Sequence, residues 1–342
     1  GEEQAAFAPE EDGVAPTVTV FAPGRATVAG IINTTGSLAA RYELPVGVVG
    51  EGGRVVSIPV EAGQWVRAGQ VLAVIDRSVQ SQQAESSAAQ IEVARADANL
   101  AQANLERAMK LVDRGFISTA DIDRLTATRD AARARVRVSE AQYRELLARN
   151  ARLNIVAPAA GLVLERNVEI GQVVGSGAGA LFAIARGGEM ELRAQLGETD
   201  LAAVPMGATA SVVPVGTDKT FTCRVWQKAP VINEQTRQGM ARCAMAYAPE
   251  LRPGGFATAR LNSGAVVAPM LPESAIQSDD KGSYVLIVDG QNKVQRRDVK
   301  LGIVTDQGIA IDSGLNGTER VVARAAGFLT VGDAVRPVAT RN

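Results

Sequence analysis

Gly53-Arg-Val-Val-Ser-Ile-Pro-Val-Glu-Ala-Gly-Gln-Trp-Val-Arg-Ala-Gly69 recurs, 108 positions on (161 − 53), as Gly161-Leu-Val-Leu-Glu-Arg-Asn-Val-Glu-Ile-Gly-Gln-Val-Val-Gly-Ser-Gly177. The identities fall at Val55/Val163, Val60/Val168, Glu61/Glu169, Gln64/Gln172 and Val66/Val174. Six glycines mark both copies at the same intervals: Gly53, Gly63 and Gly69 in the first, Gly161, Gly171 and Gly177 in the second. We read them as structural turn positions. Each copy ends in an apolar run, Val71-Leu-Ala-Val-Ile75 and Leu181-Phe-Ala-Ile184. A repeated pair of this kind predicts two halves of one small β module.

Between the halves the period changes. Ile91, Ala94, Ala98, Ala101, Leu105, Ala108 and Val112 alternate in steps of three and four. That is a coiled-coil seam lined mostly by alanine, which lets a partner helix approach closely. Gly115 suits the end of this helix. Ser118-Thr-Ala-Asp121 reads as a capping box opening the next. The second helix carries Ile122, Leu125, Ala132, Val136, Tyr143 and Leu146 on one stripe, interrupted by Arg129. The short connection forces the pair antiparallel. About 35 residues in each helix at 1.5 Å per residue gives a hairpin about 50 Å long. An arm with so little core is read as a reach element rather than a solvated ornament.

The rest of the chain is read as β. Residues 14–28 and about 37–46 alternate as strands. Residues 189–264 carry turn signals at Pro205-Met-Gly207, Pro214-Val-Gly216 and Pro253-Gly-Gly255, which suit a small barrel. Residues 265–340 form another β unit, and the N-terminal strands are expected to return to these late domains. Residues 1–13 are acidic and read as a disordered tail.

Bulk composition excludes several classes. The 342 residues carry a net charge of −1, 4% aromatics, 34 glycines and no histidine. No global charge draws the chain to nucleic acid. Without histidine there is no Ser-His-Asp triad, no Cys-His pair and no His-containing zinc site. No run of about 18 apolar residues occurs, so no membrane-spanning helix is expected. No signal peptide is visible, and Gly1 does not look like a native start. Cys223 and Cys243 flank a turn-like segment, Pro230 to Arg237; a cross-strand disulfide and two unpaired buried thiols are equally open readings. Met240, Cys243 and Met245 are the only cluster of soft ligands, and core packing explains it better than metal binding.

The residues together resemble the periplasmic adaptors, or membrane fusion proteins, of tripartite efflux pumps, the family of HlyD-like and RND-type adaptor subunits. Gly53 to Asp76 fits the family's first lipoyl half-motif, and Ala157-Pro-Ala-Ala-Gly161 onward fits the second. Leu251-Arg-Pro-Gly-Gly-Phe256 is similar to its barrel segment, with Gly255 in place of methionine. Gly314-Leu-Asn-Gly-Thr-Glu-Arg-Val321 is similar to its membrane-proximal segment, with Glu319 for aspartate. Arg107, Leu111 and Ser118 fill the R-x-x-x-L-x-x-x-x-x-x-S pattern of adaptors that dock TolC-type channels.

The fold this implies is mainly β with a long α-helical hairpin, an elongated multidomain chain. Its parts are a membrane-proximal β domain (14–33 with 265–340), a β-barrel (34–46 with 187–264), a split lipoyl or barrel-sandwich hybrid domain (47–76 with 153–186) and an antiparallel coiled-coil hairpin (77–152). The resemblance implies a non-enzymatic subunit without cofactor, located in the periplasm and associated with the inner membrane. Its implied partners are an inner-membrane RND transporter, a TolC-type outer-membrane channel and copies of itself, in a hexameric ring. Membrane association would come through partners or through an N-terminal anchor outside this sequence. An ABC-type pump of the macrolide-exporter kind is the alternative partner. A lipoyl or biotinyl carrier is the rival from another class, but neither half carries a lysine between 47 and 76 or between 161 and 184.

Overall fold

The computed structural model describes residues 13–324 and 329–340. The acidic stretch expected as a tail lies almost wholly outside them. The chain divides into two compact units, Ala40–Met190 and the residues before and after it.

In the Ala40–Met190 unit, the two repeats interlock. One sheet runs in the order Glu43–Gly47, Ala180–Arg186, Gly161–Arg166, Trp65–Val66. The other runs Asn154–Val156, Val71–Ile75, Gly53–Ser57, Val173–Val174. Each half therefore lends its short third-position strand to the other half's sheet. The hydrogen bonds repeat with the sequence: Val55 N–H donates to Gln172 O at 2.9 Å, and Val163 N–H donates to Gln64 O at 2.9 Å. The Glu-x-x-Gln turns repeat too, with Gln64 Oε1 accepting from Glu61 N–H at 3.0 Å and Gln172 Oε1 from Glu169 N–H at 3.1 Å. The repeated valines Val55/Val163, Val60/Val168 and Val66/Val174 all lie in one buried core with Leu72, Ile75, Phe182 and Ile184.

The glycines divide by job. Gly63, Gly69 and Gly171 hold φ of 90°, 79° and 89°, the left-handed region that favours glycine. Gly53 and Gly161 are strand residues, not turn residues. A Cβ on Gly161 would stand 2.9 Å from the carbonyl carbon of Ala185, so this glycine permits close strand approach. Gly177 has neither role: its surroundings are open, and the left-handed residue of that turn is Gly179, with φ of 76°. The last turn of the second half is longer than its counterpart, and the special conformation moves with it.

Two helices, α1 (Ser78–Val112) and α2 (Thr119–Ala151), are inserted between the strands Val71–Ile75 and Asn154–Val156. The Asp76 carboxylate accepts the Ser78 hydroxyl at 2.5 Å and the Ser78 N–H at 3.0 Å, which holds its pKa below the usual carboxylate range. Ile91, Ala94, Ala98, Ala101, Leu105 and Ala108 are buried along α1. On α2 only Ala132 and Asn150 are fully buried, and Ile122, Leu125, Val136, Tyr143 and Leu146 are half-buried. The pairs Arg95–Glu140 (3.0 Å) and Arg133–Gln102 (3.0 Å) show the helices running antiparallel. At their base Asn150 Nδ2 donates to Gln80 O at 3.0 Å, and Arg77 donates to Asn154. No helix among the described residues is long and apolar enough to cross a membrane.

In the other unit a closed barrel runs Met190–Gly197, Gln238–Met245, Phe221–Lys228, Thr209–Pro214, Phe256–Ala268 and Ala26–Ala40. A short helix, α3 (Glu198–Ala203), which alternation did not predict, follows the first of these. Ala26–Ala40 is one long strand beside Phe256–Ala268, whereas alternation predicts two shorter strands, at 14–28 and about 37–46. Its first residues pack onward, with Val28 against Ala268 and Ala310. Thr17–Phe21 pairs antiparallel with Arg320–Val322 and parallel with Arg336–Ala339.

Cys223 and Cys243 are joined in a disulfide, with Cα atoms 5.4 Å apart and both residues 1% exposed. The ladder register pairs Cys243 with Val225, so the bridge is diagonal across the two strands rather than between facing residues. Intact mass without reductant should fall about two daltons below the reduced mass, the loss of two hydrogens; equal masses would remove the bridge. Met240 sits on the face of its strand opposite Cys243 and Met245, whose residues alternate inward, so the three do not form one ligand set.

Candidate functional site

The connection between α1 and α2 is built by its own backbone. Phe116 N–H donates to Leu111 O at 3.1 Å and Gly115 N–H to Val112 O at 3.0 Å, with Gly115 at φ 79°. This six-to-one and five-to-two pattern around a left-handed glycine ends α1. Ser118 opens α2: its Oγ accepts Asp121 N–H at 3.3 Å and donates to Asp121 Oδ2 at 2.9 Å. Ser118 is thus occupied as a cap. Its replacement by alanine would cost about 1 kcal/mol of local stability whatever the tip touches.

Leu111 and Arg107 are different. Leu111, in the last turn of α1, is 41% exposed. Arg107 is exposed, and its Nη2 donates to Asn104 Oδ1 at 2.5 Å, a hydrogen bond one turn back along α1. Phe116, between the glycine and the cap, is 76% exposed. Sequence reading passed over Phe116; the signal available was an aromatic residue in a tight turn that belongs to neither helix seam. The tip therefore presents two apolar side chains, Leu111 and Phe116, on a hydrogen-bonded turn, with the exposed Arg114 between them and Arg107 a turn away. It can bury apolar area and donate directional hydrogen bonds to the carbonyl ends of another helix.

Three families match consecutive stretches of the chain. Residues 48–186 match the CzcB-like barrel-sandwich hybrid domain, 192–265 the CusB-like β-barrel domain, and 265–326 the C-terminal permuted SH3 domain of RND membrane fusion proteins. The chain belongs to the membrane fusion proteins of RND efflux pumps. This family is one of non-enzymatic structural adaptors. The adaptor is 26% identical over 304 residues to multidrug resistance protein MdtA of Yersinia pseudotuberculosis, covering 85% of this chain and 68% of that protein. It is 28% identical over 281 residues to cation efflux system protein CzcB of Alcaligenes sp., covering 79% of this chain and 52% of that one. Its fold is that of MacA from Actinobacillus actinomycetemcomitans, with a TM-score of 0.61 at 21% identity over 87% of this chain and 97% of the other. The barrel-sandwich match spans the two repeats and the helices between them, so the adaptor's inserted helices belong to the matched module.

Proposed function

We propose that this chain is the periplasmic adaptor of a tripartite efflux system, linking an inner-membrane RND transporter to a TolC-type outer-membrane channel. The α1–α2 pair is its long coiled-coil hairpin, and the tip around Arg107, Leu111 and Phe116 is the surface that meets the channel. Ser118 sets the backbone on which that surface stands. The observation that carries this reading is the joint exposure of Leu111 and Phe116, which leaves an apolar patch in water where α1 turns into α2. The barrel-sandwich modules of several copies stack side by side in a ring, of six by family resemblance, to seal the conduit. Cation handling by the adaptor itself is not part of the reading, because Cys243 is tied to Cys223 and Met240 faces away from Met245.

The test is capture of the cognate channel by wild type and by an Arg107→Asp, Leu111→Ser double variant with matching circular dichroism. Loss of capture is the expected result. A Ser118→Ala variant separates docking from capping: it should lower the local melting of the tip while capture survives. Undiminished capture by the double variant would move the channel contact to another surface.

A further inference from the structure

The segment Gly314-Leu-Asn-Gly-Thr-Glu-Arg-Val321 has no part in the hairpin tip or the barrel-sandwich module, yet its hydrogen bonds converge on one peptide bond. Asn316 is exposed to water, and the Gly317 that follows it is buried. Gly317 has φ of 100°, and a Cβ there would stand 2.5 Å from Gly24 O. The close approach of the chain at Gly24 therefore demands glycine at this position. A glycine after an asparagine leaves its own amide nitrogen unshielded by any side chain, within reach of the asparagine carboxamide.

Glu319 and Thr318 act on the two ends of that approach. Glu319 Oε1 accepts the Asn316 N–H at 2.8 Å, and its Oε2 accepts the Gly317 N–H at 3.0 Å. The Glu319 side chain is 11% exposed, with Arg297 Nη1 3.7 Å from Oε1. Burial pushes its pKa up, but the N–H donors of Asn316, Glu319 itself and Gly317 outweigh that and hold it below the usual carboxylate range, so the group is ionised at neutral pH. Asn316 Oδ1 accepts the Thr318 N–H at 2.9 Å and the Thr318 hydroxyl at 2.5 Å. These contacts fold the loop. They also put a base on the Gly317 nitrogen and two donors on the carbonyl that this nitrogen would attack.

We propose that Asn316–Gly317 is a self-modification site, at which the asparagine closes to a succinimide and opens to aspartate or isoaspartate. Gly317 N forms a bond to Asn316 Cγ, and the carbonyl electron pair moves onto Oδ1, where the two Thr318 donors hold the charge. Glu319 takes the proton from Gly317 N and delivers it to Asn316 Nδ2. The Cγ–Nδ2 bond breaks and ammonia leaves. Water then opens the ring at either carbonyl. Nothing is oxidised or reduced, and water is the only co-reactant. The isoaspartate product carries one extra methylene in the main chain. Gly317 O accepts the Gly24 N–H at 2.8 Å, and Gly24 closely follows the strand Thr17–Phe21, which pairs with Arg320–Val322. The longer main chain displaces Gly317 and loosens the seat of that first strand.

The experiment follows the purified full chain at neutral pH and physiological temperature, in buffer and in guanidinium chloride. Trypsin releases residues 301–320 as one peptide, whose mass separates the asparagine, succinimide and hydrolysed forms. Methyl transfer by a protein-isoaspartate methyltransferase scores isoaspartate. Conversion in the folded chain should run about tenfold or more ahead of that in the unfolded chain. Conversion no faster than in guanidinium would mean that the loop shields the bond, which overturns the proposal; this comparison needs no variant. Glu319→Gln keeps an acceptor but removes the base, and should slow the folded chain by about tenfold. Thr318→Val should slow it by less. Unchanged rates in both variants overturn the roles given to them. Asn316→Gln, whose side chain is too long to close the five-membered ring, should end conversion in this peptide, and persistence would assign the chemistry to another residue. Hydrogen exchange of residues 14–24 should quicken after conversion; unchanged exchange overturns the loosening of the first strand.

Discussion

Gly161→Ala is expected to destabilise the barrel-sandwich module by about 3 kcal/mol, while Gly177→Ala leaves it unchanged or slightly more stable. The two glycines occupy the first and third positions of the same repeat, so sequence alone gives them equal standing. In the structure, Gly161 pairs with Arg186 across the ladder, and an added Cβ would sit 2.9 Å from the Ala185 carbonyl carbon and 2.9 Å from Ile184 Cγ2. Both obstacles belong to a central strand whose Ile184 is fully buried, so neither can yield without moving the core. Gly177 has open space around it and no left-handed φ. Its replacement only removes freedom from the unfolded chain. Gly53→Ala should fall between, since its nearest obstacle is the Ile75 side chain at 2.8 Å rather than backbone. The measurement is urea unfolding followed by hydrogen exchange of the peptides covering residues 161–186, because the two units need not unfold together. Equal midpoints for Gly161→Ala and Gly177→Ala would mean that the strands are not in close contact at this point.

Glu191→Ala should cost the barrel about 3 kcal/mol, although Glu191 lies at the start of a strand and touches no expected site. Among the described residues it is the one acidic side chain with no solvent exposure. Its Oε1 accepts from Arg193 Nε at 3.0 Å and pairs with Arg242 Nη2 at 2.7 Å, and its Oε2 accepts from Trp226 Nε1 at 3.0 Å. Arg242 also lies over the Trp226 ring at 4.4 Å. Removing the carboxylate leaves two guanidinium groups close together and an indole N–H without its acceptor. The arginines reach partly into solvent, which keeps the cost at the lower end of that for breaking a buried pair. The double replacement Glu191→Leu, Arg242→Leu should cost less than Glu191→Ala alone, because it leaves no uncompensated charge from this pair. Thermal melting of the three proteins checks the order. A double variant less stable than Glu191→Ala would mean that the pair is not coupled in this way.

How much of this was legible in the sequence depends on how local each signal is. The α1 seam was legible because a helix partner one turn of chain away buries residues at three-four spacing, and Ile91 to Ala108 are buried as that spacing requires. The α2 stripe was legible in position but not in depth, since a pair of helices covers each seam from one side only. The repeated Gly63 and Gly171 were legible as left-handed turns, whereas Gly177 misled because the second half carries a longer last turn. The Glu191 hub was not legible at all. Residues 191, 193, 226 and 242 meet only through barrel register, which no local pattern encodes. At the tip, the cap at Ser118 could be read from spacing, while the exposure of Leu111 and Phe116 required coordinates.

The strands Val71–Ile75 and Asn154–Val156 are hydrogen-bonded neighbours, with Val71 opposite Val156 and Val74 opposite Asn154. The whole of α1 and α2 thus leaves the β module and re-enters it through one doorway a single strand spacing wide. No residue of α1 or α2 belongs to the module's buried core, to which the segment between the two strands contributes only Leu153, beside the doorway. The span of the helices is therefore a freely adjustable dimension: deleting one heptad from each would shorten it by about 10 Å and leave the module intact. A scaffold of this kind can be refitted to partners at different distances by cutting or adding whole turns, with the folding of its base unaffected.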